Sequence, residues 1–597
     1  MRSTGYPHFS TSKWSKGPSP SRTKISAGAG LVLAFTLGAC IGDPSGLGRP
    51  GVGAARAVEV SHGDVSIAGS YLAGRVALDE GNMLEAADNF EVALSAEPDD
   101  SDLRRQIFVL RLAGGDLERA VDVAGDLLEL GIESDEARML LAFAALREGR
   151  LDETRDRLSE IGPGGISGMV GPLLLDWLLF AEGASEEALA ALSEADGGDG
   201  LALVRTYHHA SMLATLGRNE EARDVLEPAV DISARIPTRL LMALVGIRER
   251  LGLKDEALAA LDGQLALAPE DTVVIDLRRT LVAGETVGMP IRDASTGMAD
   301  ALLSLARALG DQRGGGQALL LARLASFLAP EDGDTWLFIA RQMLAENNVP
   351  LALDALDEVG GDSLFTWDAD LLRAQAYNIT GRNEEAFALL EEMGERRPER
   401  IDALVSLGDM LRREERYAEA EVAYSEAISR IREMGPDNWR LLYARGITYE
   451  RTDRWELAEA DFLAALDLEP EQPFVLNYLG YSWVDKGLNL DRATDMLHRA
   501  VELRPKDGFI VDSLGWAFFR LGRFEDAVVN LERAVELQPD DPVINDHLGD
   551  AYWRVGRLRE ARFQWERTLI FDPEEGEAGK IRLKLEEGLP PSDAERG

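Results

Sequence analysis

The chain of 597 residues contains a single cysteine, Cys40, and only six histidines. One cysteine excludes an internal disulfide and any multi-cysteine zinc site. No pair of histidines has a metal-ligand spacing with a carboxylate, and the adjacent His208 and His209 point apart on a helix. The sequence also lacks a phosphate-cradling Gly-Lys-Ser/Thr loop and a Gly-x-Ser-x-Gly elbow. We therefore expect no catalytic residue, no cofactor and no metal, and we predict that the protein is not an enzyme.

Positive charge is scarce throughout the sequence. There are 63 Lys and Arg residues against 105 Asp and Glu residues, which gives a formal net charge of −42. This balance excludes a nucleic-acid backbone as the expected partner. Two interpretations of the acidity stay open: a solvated surface that keeps a long protein soluble, and a preference for basic partners.

Long apolar runs are also absent, apart from one near the start of the chain. Residues 1–24 carry five basic side chains and no acidic one, and an apolar run of about 15 residues follows at positions 25–39. This run is too short and too rich in small residues for a transmembrane helix, and it has the layout of a signal peptide.

The apolar run ends in Leu37-Gly38-Ala39-Cys40, which resembles the lipobox of bacterial lipoproteins. The resemblance implies that Cys40 is lipidated and that acyl chains hold the protein on a membrane surface. A plain signal peptide that happens to end in a cysteine is the alternative, and it would leave a soluble periplasmic protein. Ile41, rather than Asp, follows the cysteine. By resemblance to the sorting rule of enteric bacteria, this implies the periplasmic side of the outer membrane.

A repeat of 34 or 35 residues organises the rest of the chain. It is clearest from position 473 to position 575, where Leu-Gly pairs begin at 479, 514 and 548. Each pair is followed, at nearly constant offsets, by an aromatic residue, a glycine, an alanine, a large apolar residue and a proline. Apolar residues at helical spacing make each unit two amphipathic helices. The glycine of the Leu-Gly pair, such as Gly515, and the later alanine, such as Ala527, let the two helices approach closely. Units this small must stack to bury a core.

The repeat pattern resembles the tetratricopeptide repeat. The resemblance implies an all-α fold, an α-solenoid of stacked antiparallel helix pairs with about 14 repeats. We predict the following organisation: signal peptide 1–39, lipidated cysteine and flexible tether 40–66, a first array 67–271 of about six repeats with a degenerate fourth, an irregular joint 272–298, a second array 299–575 of eight repeats, a capping helix 576–588 and a tail 589–597. The joint could equally be a loop insertion.

In this family the first helix of each unit lines a concave groove. Carried over to this chain, the groove positions place these residues in a partner-binding surface: Asn477, Tyr481, Asp512, Trp516, Phe519, Arg520, Asp546, Asp550, Trp553 and Arg554. Aromatic residues and Arg anchor many interfaces, although these rings could instead pack against neighbouring helices. The Lys/Asn/Arg clamp for a peptide carboxylate is absent, which favours a segment with apolar and basic residues.

We expect a scaffold that is anchored to the bacterial envelope and recruits envelope proteins or peptide segments through this groove. Such a scaffold would serve assembly, secretion or export machinery. The alternative is an accessory factor for the cell wall or for polysaccharide export, in which the aromatic groove residues stack on sugars.

Overall fold

The computed structural model describes residues 67–194, 202–230, 234–310, 315–571, 573 and 575–590. These residues form thirty α-helices and two 3-10 helices, Glu227–Ala229 and Pro436–Asn438, and they contain no strand. The predicted all-α class is confirmed. The predicted signal peptide, Cys40 and the tether lie outside the described residues, as do positions 591–597 of the predicted tail.

By their contacts, the residues fall into two compact units that divide between Leu389 and Leu390. We call the described residues from 67 to 389 the amino-terminal unit and those from 390 to 590 the carboxy-terminal unit. The helices of the amino-terminal unit are α1 (Ile67–Asp79), α2 (Met83–Leu94), α3 (Ser101–Gly114), α4 (Leu117–Glu129), α5 (Asp135–Arg147), α6 (Leu151–Ser159), α7 (Gly165–Ala181), α8 (Ser185–Glu194), α9 (Ala202–Thr215), α10 (Asn219–Leu226), α11 (Thr238–Arg250), α12 (Lys254–Leu267), α13 (Thr272–Ala283), α14 (Ala294–Gly310), α15 (Gly315–Leu328), α16 (Gly333–Ala345), α17 (Val349–Asp357) and α18 (Thr366–Ile379).

One helix, α19 (Asn383–Arg396), crosses the division. The carboxy-terminal unit continues with α20 (Asp402–Arg413), α21 (Tyr417–Arg430), α22 (Trp439–Arg451), α23 (Trp455–Leu468), α24 (Pro473–Lys486), α25 (Leu490–Leu503), α26 (Gly508–Arg520), α27 (Phe524–Leu537), α28 (Pro542–Arg554), α29 (Leu558–Ile570) and α30 (Glu575–Glu587).

Consecutive helices pack in sequence order as hairpins, and thirteen such pairs are in contact, from α1 with α2 to α28 with α29. The helices α13 and α30 are additional and pack on the helix that precedes each of them. The predicted helical-repeat solenoid of about 14 repeats is confirmed. The lone α13 and the irregular residues 284–293 occupy the predicted joint. Both flanks of this segment belong to the amino-terminal unit, so a division of the chain at 272–298 stays a prediction.

Within many pairs, a glycine of the first helix faces a large side chain of the second helix. A methyl group added to any of these glycines would lie within 2.7 Å of that side chain, as shown by Gly74 with Phe90, Gly408 with Tyr424, Gly446 with Phe462, Gly515 with Leu531 and Gly549 with Trp565. The ring or branched chain therefore fills the space that a β-carbon would take. The close approach expected at Gly515 is present.

A second recurring contact secures the turn between the paired helices. An Arg that directly follows the turn places its guanidinium 4.0 to 4.6 Å from the centre of an aromatic ring near the end of the first helix, in the pairs Arg382–Tyr377, Arg454–Tyr449, Arg523–Phe518 and Arg557–Tyr552. Cation–π contacts of this kind contribute roughly 0.5–1 kcal/mol at exposed sites.

In the amino-terminal unit, α14 and α15 pack against the first helices of earlier repeats, namely α3, α5, α7 and α9. Gly297 of α14 lies so close to Trp177 of α7 that an added methyl group would meet the indole at 2.2 Å. Arg323 of α15 is buried and donates through Nε to the carbonyl of Ala113, 3.0 Å away near the end of α3. The face formed by the first helices of the early repeats is therefore covered by other helices of the same unit.

Buried charges add to this closure. Arg239 of α11 pairs with Asp300 at 3.3 Å and with Asp334 at 2.7 Å, and it also contacts Asp332. The hydroxyl of Tyr207 donates to Asp300 at 3.1 Å. Removing one member of such a cluster would leave a buried charge without compensation, so the cluster fixes how α9, α11, α14 and α16 meet.

Gly297→Ala should loosen the contact between α14 and α7, because the new methyl group overlaps the Trp177 indole. We expect a loss of about 1–3 kcal/mol in the local opening free energy of these two helices, measured by hydrogen exchange. Gly263→Ala in α12 is the matched control, since no atom lies within 4 Å of its added methyl group. The control should be neutral or gain up to about 1 kcal/mol from helix propensity. Equal exchange in both variants would contradict the packing described here.

Candidate functional site

The predicted groove residues all lie on the first helices of three consecutive repeats in the carboxy-terminal unit. Asn477 and Tyr481 are on α24; Asp512, Trp516, Phe519 and Arg520 are on α26; Asp546, Asp550, Trp553 and Arg554 are on α28. We call the face that these helices form with α22 and α30 the inner face. As partner-contacting residues, this set stays a prediction.

Neighbouring first helices are joined across the inner face by pairs of an acid and a base. Asp485 of α24 accepts a hydrogen bond from Arg520 of α26 at 2.6 Å. Asp512 of α26 meets Nδ1 of His547 of α28 at 3.0 Å. Lys584 of α30 makes the next such pair, with acids of α28. In each pair the base comes from the next helix of the inner face, so the contacts hold consecutive repeats, and the last repeat with α30, in register.

The aromatic side chains of α26 take part in this packing. The Trp516 indole is 5% exposed and lies parallel to the rings of Phe519 and His547, with centroid distances of 4.7 and 4.0 Å. Burial alone would lower the pKa of His547, but the carboxylates of Asp512, Asp546 and Asp550 together outweigh it and raise that pKa above its ordinary value. The imidazole links two helices, and Trp516 does not present a free ring.

The last helix, α30, covers the inner face of α28. The Lys584 ammonium lies 2.8 Å from the carboxylates of both Asp546 and Asp550. The backbone of Gly588, just beyond α30, lies against the ring of Trp553, and Arg554 donates to the carbonyl of Pro590 at 2.7 Å. Four of the ten predicted groove residues are thus in contact with the chain's own carboxy-terminal segment.

This end of the inner face is a buried ion cluster. Burial raises the pKa of Asp546 to about 6, against the opposing effect of Lys584. Burial also disfavours the charged form of Lys584, but the two carboxylates outweigh it and raise the pKa of the ammonium above its ordinary value. The cluster thus accommodates a lysine cation in a largely desolvated place.

An open cleft lies one repeat earlier, between α22 and α24. It is lined by Glu450, Asn477, Tyr478, Tyr481, Ser482, Asp485 and Lys486. Asn477 is only 4% exposed, and its Oδ1 atom has no hydrogen-bond partner. A buried amide oxygen without a partner is costly and unusual in a folded protein.

The amino-terminal unit also has a cavity beside Arg239, Asp300 and Asp332. Its charged groups pair with one another as described above. His208, noted in the sequence, is buried and accepts a hydrogen bond at Nδ1 from Trp177 at 3.1 Å, and burial lowers its pKa to about 3. Across the ranges that the structure describes, no group of three or more His, Cys, Asp or Glu side chains has a metal-binding arrangement.

The sequence analysis named Arg520 without its pairing to Asp485, and it missed the bases His547 and Lys584. Arg520, His547 and Lys584 each stand 34 to 38 residues after an acid that they contact. One repeat period separates the partners, so matching acids with bases one repeat later in the printed sequence could have found them.

Comparison with known proteins agrees with this repeat architecture. A TPR repeat family model matches residues 515–556, and a tetratricopeptide repeat model matches residues 425–473. A segment of 177 residues is 28% identical to TPR repeat-containing protein PA4667 of Pseudomonas aeruginosa. This segment covers 30% of this chain and 29% of that protein. The match thus spans less than a third of that relative.

Among solved structures, the Cut9–Hcn1 hetero-tetramer of the APC/C is similar over 87% of this chain and 96% of that one, with 17% identity and a TM-score of 0.36. A tetratricopeptide repeat protein from Parabacteroides merdae is similar over 42% of this chain and 98% of that one, with 13% identity and a TM-score of 0.36. From the two family matches and the helix pairs, this chain carries tetratricopeptide repeats, which are typical of non-enzymatic scaffolds that bind proteins.

Lys584→Met should release α30 from α28, because it leaves Asp546 and Asp550 buried side by side without a cation. Breaking a buried ion pair in this way costs about 3–5 kcal/mol. We expect faster hydrogen exchange and easier proteolysis within 575–590. Arg582→Met on the same helix is the control: Arg582 is exposed, and its loss should cost about 0.5 kcal/mol or less. Similar exchange in both variants would contradict the role given to Lys584.

Proposed function

We propose that this protein is a non-enzymatic scaffold that recruits protein partners through the inner face of its carboxy-terminal unit. The observation that carries the proposal is the polar cleft between α22 and α24, which is lined by Asn477, Tyr481 and Asp485 of the inner face. The corresponding face of the early repeats in the amino-terminal unit is covered by α14 and α15. The inner face of the carboxy-terminal unit carries a polar cleft.

The scaffold would be held at the bacterial envelope by a lipid on Cys40, on the periplasmic side of the outer membrane. The support is the basic segment, the apolar run and the Leu-Gly-Ala-Cys sequence at positions 37–40. Of the helices in the described ranges, none combines the length and apolar character needed to cross a bilayer. One acyl chain gives marginal membrane binding, so stable anchoring needs more than one chain or a further signal.

Sugar binding, the alternative weighed from the sequence, is less well supported. Stacking on a sugar needs an accessible aromatic face, and Trp516 already stacks on Phe519 and His547 at 5% exposure. Trp553 lies against Trp565 and Gly588. We therefore propose proteins, rather than polysaccharide, as the partners.

A charge reversal on the inner face should abolish partner capture. Asp485→Lys changes an exposed carboxylate at the rim of the cleft and sets a second cation beside Arg520. We expect envelope proteins that co-purify with the wild-type chain in detergent to be lost, about tenfold or more by quantitative mass spectrometry, as for a lost charge-assisted contact. Replacing Trp516 and Trp553 by Ala would be a poorer test, because both rings are packed.

Asp495→Lys is the matched control for this capture experiment. It makes the same charge change at an exposed position on α25, the second helix of the same repeat. Its capture profile should equal that of the wild type. If the two variants retain the same proteins, or if no protein is captured specifically by the wild type, recruitment through the inner face is contradicted.

Anchoring is tested separately by metabolic labelling with an alkyne fatty acid. We expect the wild-type chain to be labelled and to sediment with membranes, while Cys40→Ser is unlabelled and is released into the soluble fraction. Ser45→Ala provides a neighbouring control that should behave as the wild type. Labelling that persists in Cys40→Ser would rule out the proposed lipid site.

A further inference from the structure

The solvent-facing side of α29, the second helix of the last repeat, carries two large apolar side chains. Phe563 is 57% exposed and Ile570 is 73% exposed. They stand seven residues apart, which places them about two turns apart on one side of the helix. The opposite side of α29 packs into the core through Ala561 and Trp565. We call the solvent-facing side the outer face of α29; it is formed by Arg559, Phe563, Glu566, Arg567 and Ile570.

The exposed Ile570 departs from the pattern of the repeats. It stands nine residues after Ala561, the alanine of its helix. The same position in the four preceding repeats is polar and exposed, and its residues are Ser429, Asp467, Glu502 and Glu536. A charged side chain is therefore compatible with the repeat fold at this position, and core packing does not account for the isoleucine.

An acid and a base lie between the two apolar side chains. Glu566 and Arg567 occupy the turns between Phe563 and Ile570. Arg567 donates to the carbonyl of Pro539 at 2.7 Å, and its guanidinium lies 6.0 Å from the centre of the Phe563 ring. Neither contact neutralises its charge, and within the described ranges neither Glu566 nor Arg567 forms an ion pair. The outer face of α29 thus combines exposed apolar surface with two uncompensated charges of opposite sign.

These four side chains are complementary to a second copy of the same face. Two α29 helices can pack antiparallel with a two-fold axis between Glu566 and Arg567. This packing places Phe563 of each copy opposite Ile570 of the other, as an isologous contact requires. It also places Glu566 of each copy opposite Arg567 of the other. The contact would bury four apolar side chains and form two ion pairs, whereas parallel packing in register would oppose like charges.

We propose that the outer face of α29 binds the outer face of α29 in a second copy, so that the protein forms a two-fold symmetric dimer. A standard stable interface buries about 800 Å² per partner, more than two turns of one helix supply, so the dimer would be weak and reversible. It would present two inner faces and hold two partner segments at once. No residue of the inner face takes part, so this inference is independent of the proposed function.

Self-association is measured by sedimentation equilibrium of the full chain with Cys40→Ser, over roughly 1–200 µM, a range that covers weak interfaces. We expect the mass to rise from that of a monomer towards that of a dimer. Ile570→Glu installs the residue of the preceding repeat, so the fold should tolerate it, and it should raise the Kd of the dimer about tenfold or more. Val422→Glu on α21 is the matched control, because Val422 is also an exposed apolar residue of a second helix. It should dimerise as the parent chain does.

Reversal of the central charges tests the antiparallel geometry. Glu566→Arg should weaken the dimer about tenfold, because it opposes two arginines across the axis. The double variant Glu566→Arg/Arg567→Glu restores two pairs of opposite charge and should recover most of the affinity. A double variant as weak as Glu566→Arg would contradict the contact between these two residues. All variants should unfold at the temperature of the parent chain by circular dichroism.

Cross-linking locates the two-fold axis. The two copies of residue 566 would be offset by about 1.5 Å along the helix axes, and those of residue 559 by about 22 Å. With Cys40 replaced by Ser, a short bis-maleimide should therefore link copies of Glu566→Cys and leave Arg559→Cys unlinked. Equal linking of the two variants, or linking of Arg559→Cys alone, would overturn the antiparallel arrangement.

Three further results would overturn the dimer. The first is a parent chain that stays monomeric at the highest concentration. The second is equal dimerisation of Ile570→Glu, which would place the contact on another surface. The third is a monomer that floats with vesicles of phosphatidylglycerol and phosphatidylethanolamine while Ile570→Glu does not, which would make the occupant of this face a lipid surface. Partner capture is measured separately with Asp485→Lys, and its failure would leave the dimer unaffected.

Discussion

The close approach of the two helices within each repeat is the constraint on which the structure depends. Where a glycine such as Gly549 or Gly408 faces a large side chain, even one added methyl group would meet it at about 2.5 Å. That spacing sets how each hairpin is tilted, and stacking the hairpins then sets which side chains of successive first helices can meet. The acid–base pairs of the inner face exist because this geometry repeats every 34 or 35 residues.

Those pairs determine where the repeats end and where a site remains. In a stack of identical repeats, the first helix of the final repeat would present unpaired groups. Here α30 supplies Lys584 to Asp546 and Asp550 of that helix. Within the stack, two residues differ from the equivalent Asp512–His547 pair: Asn477 replaces the acid and Ser513 replaces the base. The pairing across the inner face thus changes where one repeat departs from its neighbours.

Much of the fold could be predicted from the sequence, because periodicity, turn glycines and apolar spacing are local signals. The helix pairs and their number follow from the Leu-Gly spacing and from alanines such as Ala527. Packing between distant repeats left no local signal: Gly297 against Trp177 and Arg323 against Ala113 join parts of the chain 120 and 210 residues apart. The sequence left open whether Trp516 is accessible or packed, because its burial depends on His547 in the next repeat.

The sequence predicted the location of the candidate site better than it predicted the chemistry of the site. The family resemblance placed Asn477 and Asp512 on one face, but it treated their positions as equivalent. Only the contacts reveal that Asp512 is satisfied within the chain while Asn477 is not. The most direct measurement is hydrogen exchange of the full chain with and without a captured partner. The account predicts slower exchange in α22, α24 and α26 on binding, with α3, α5 and α7 unchanged; protection of α3 and α5 instead, with α24 unaffected, would contradict it.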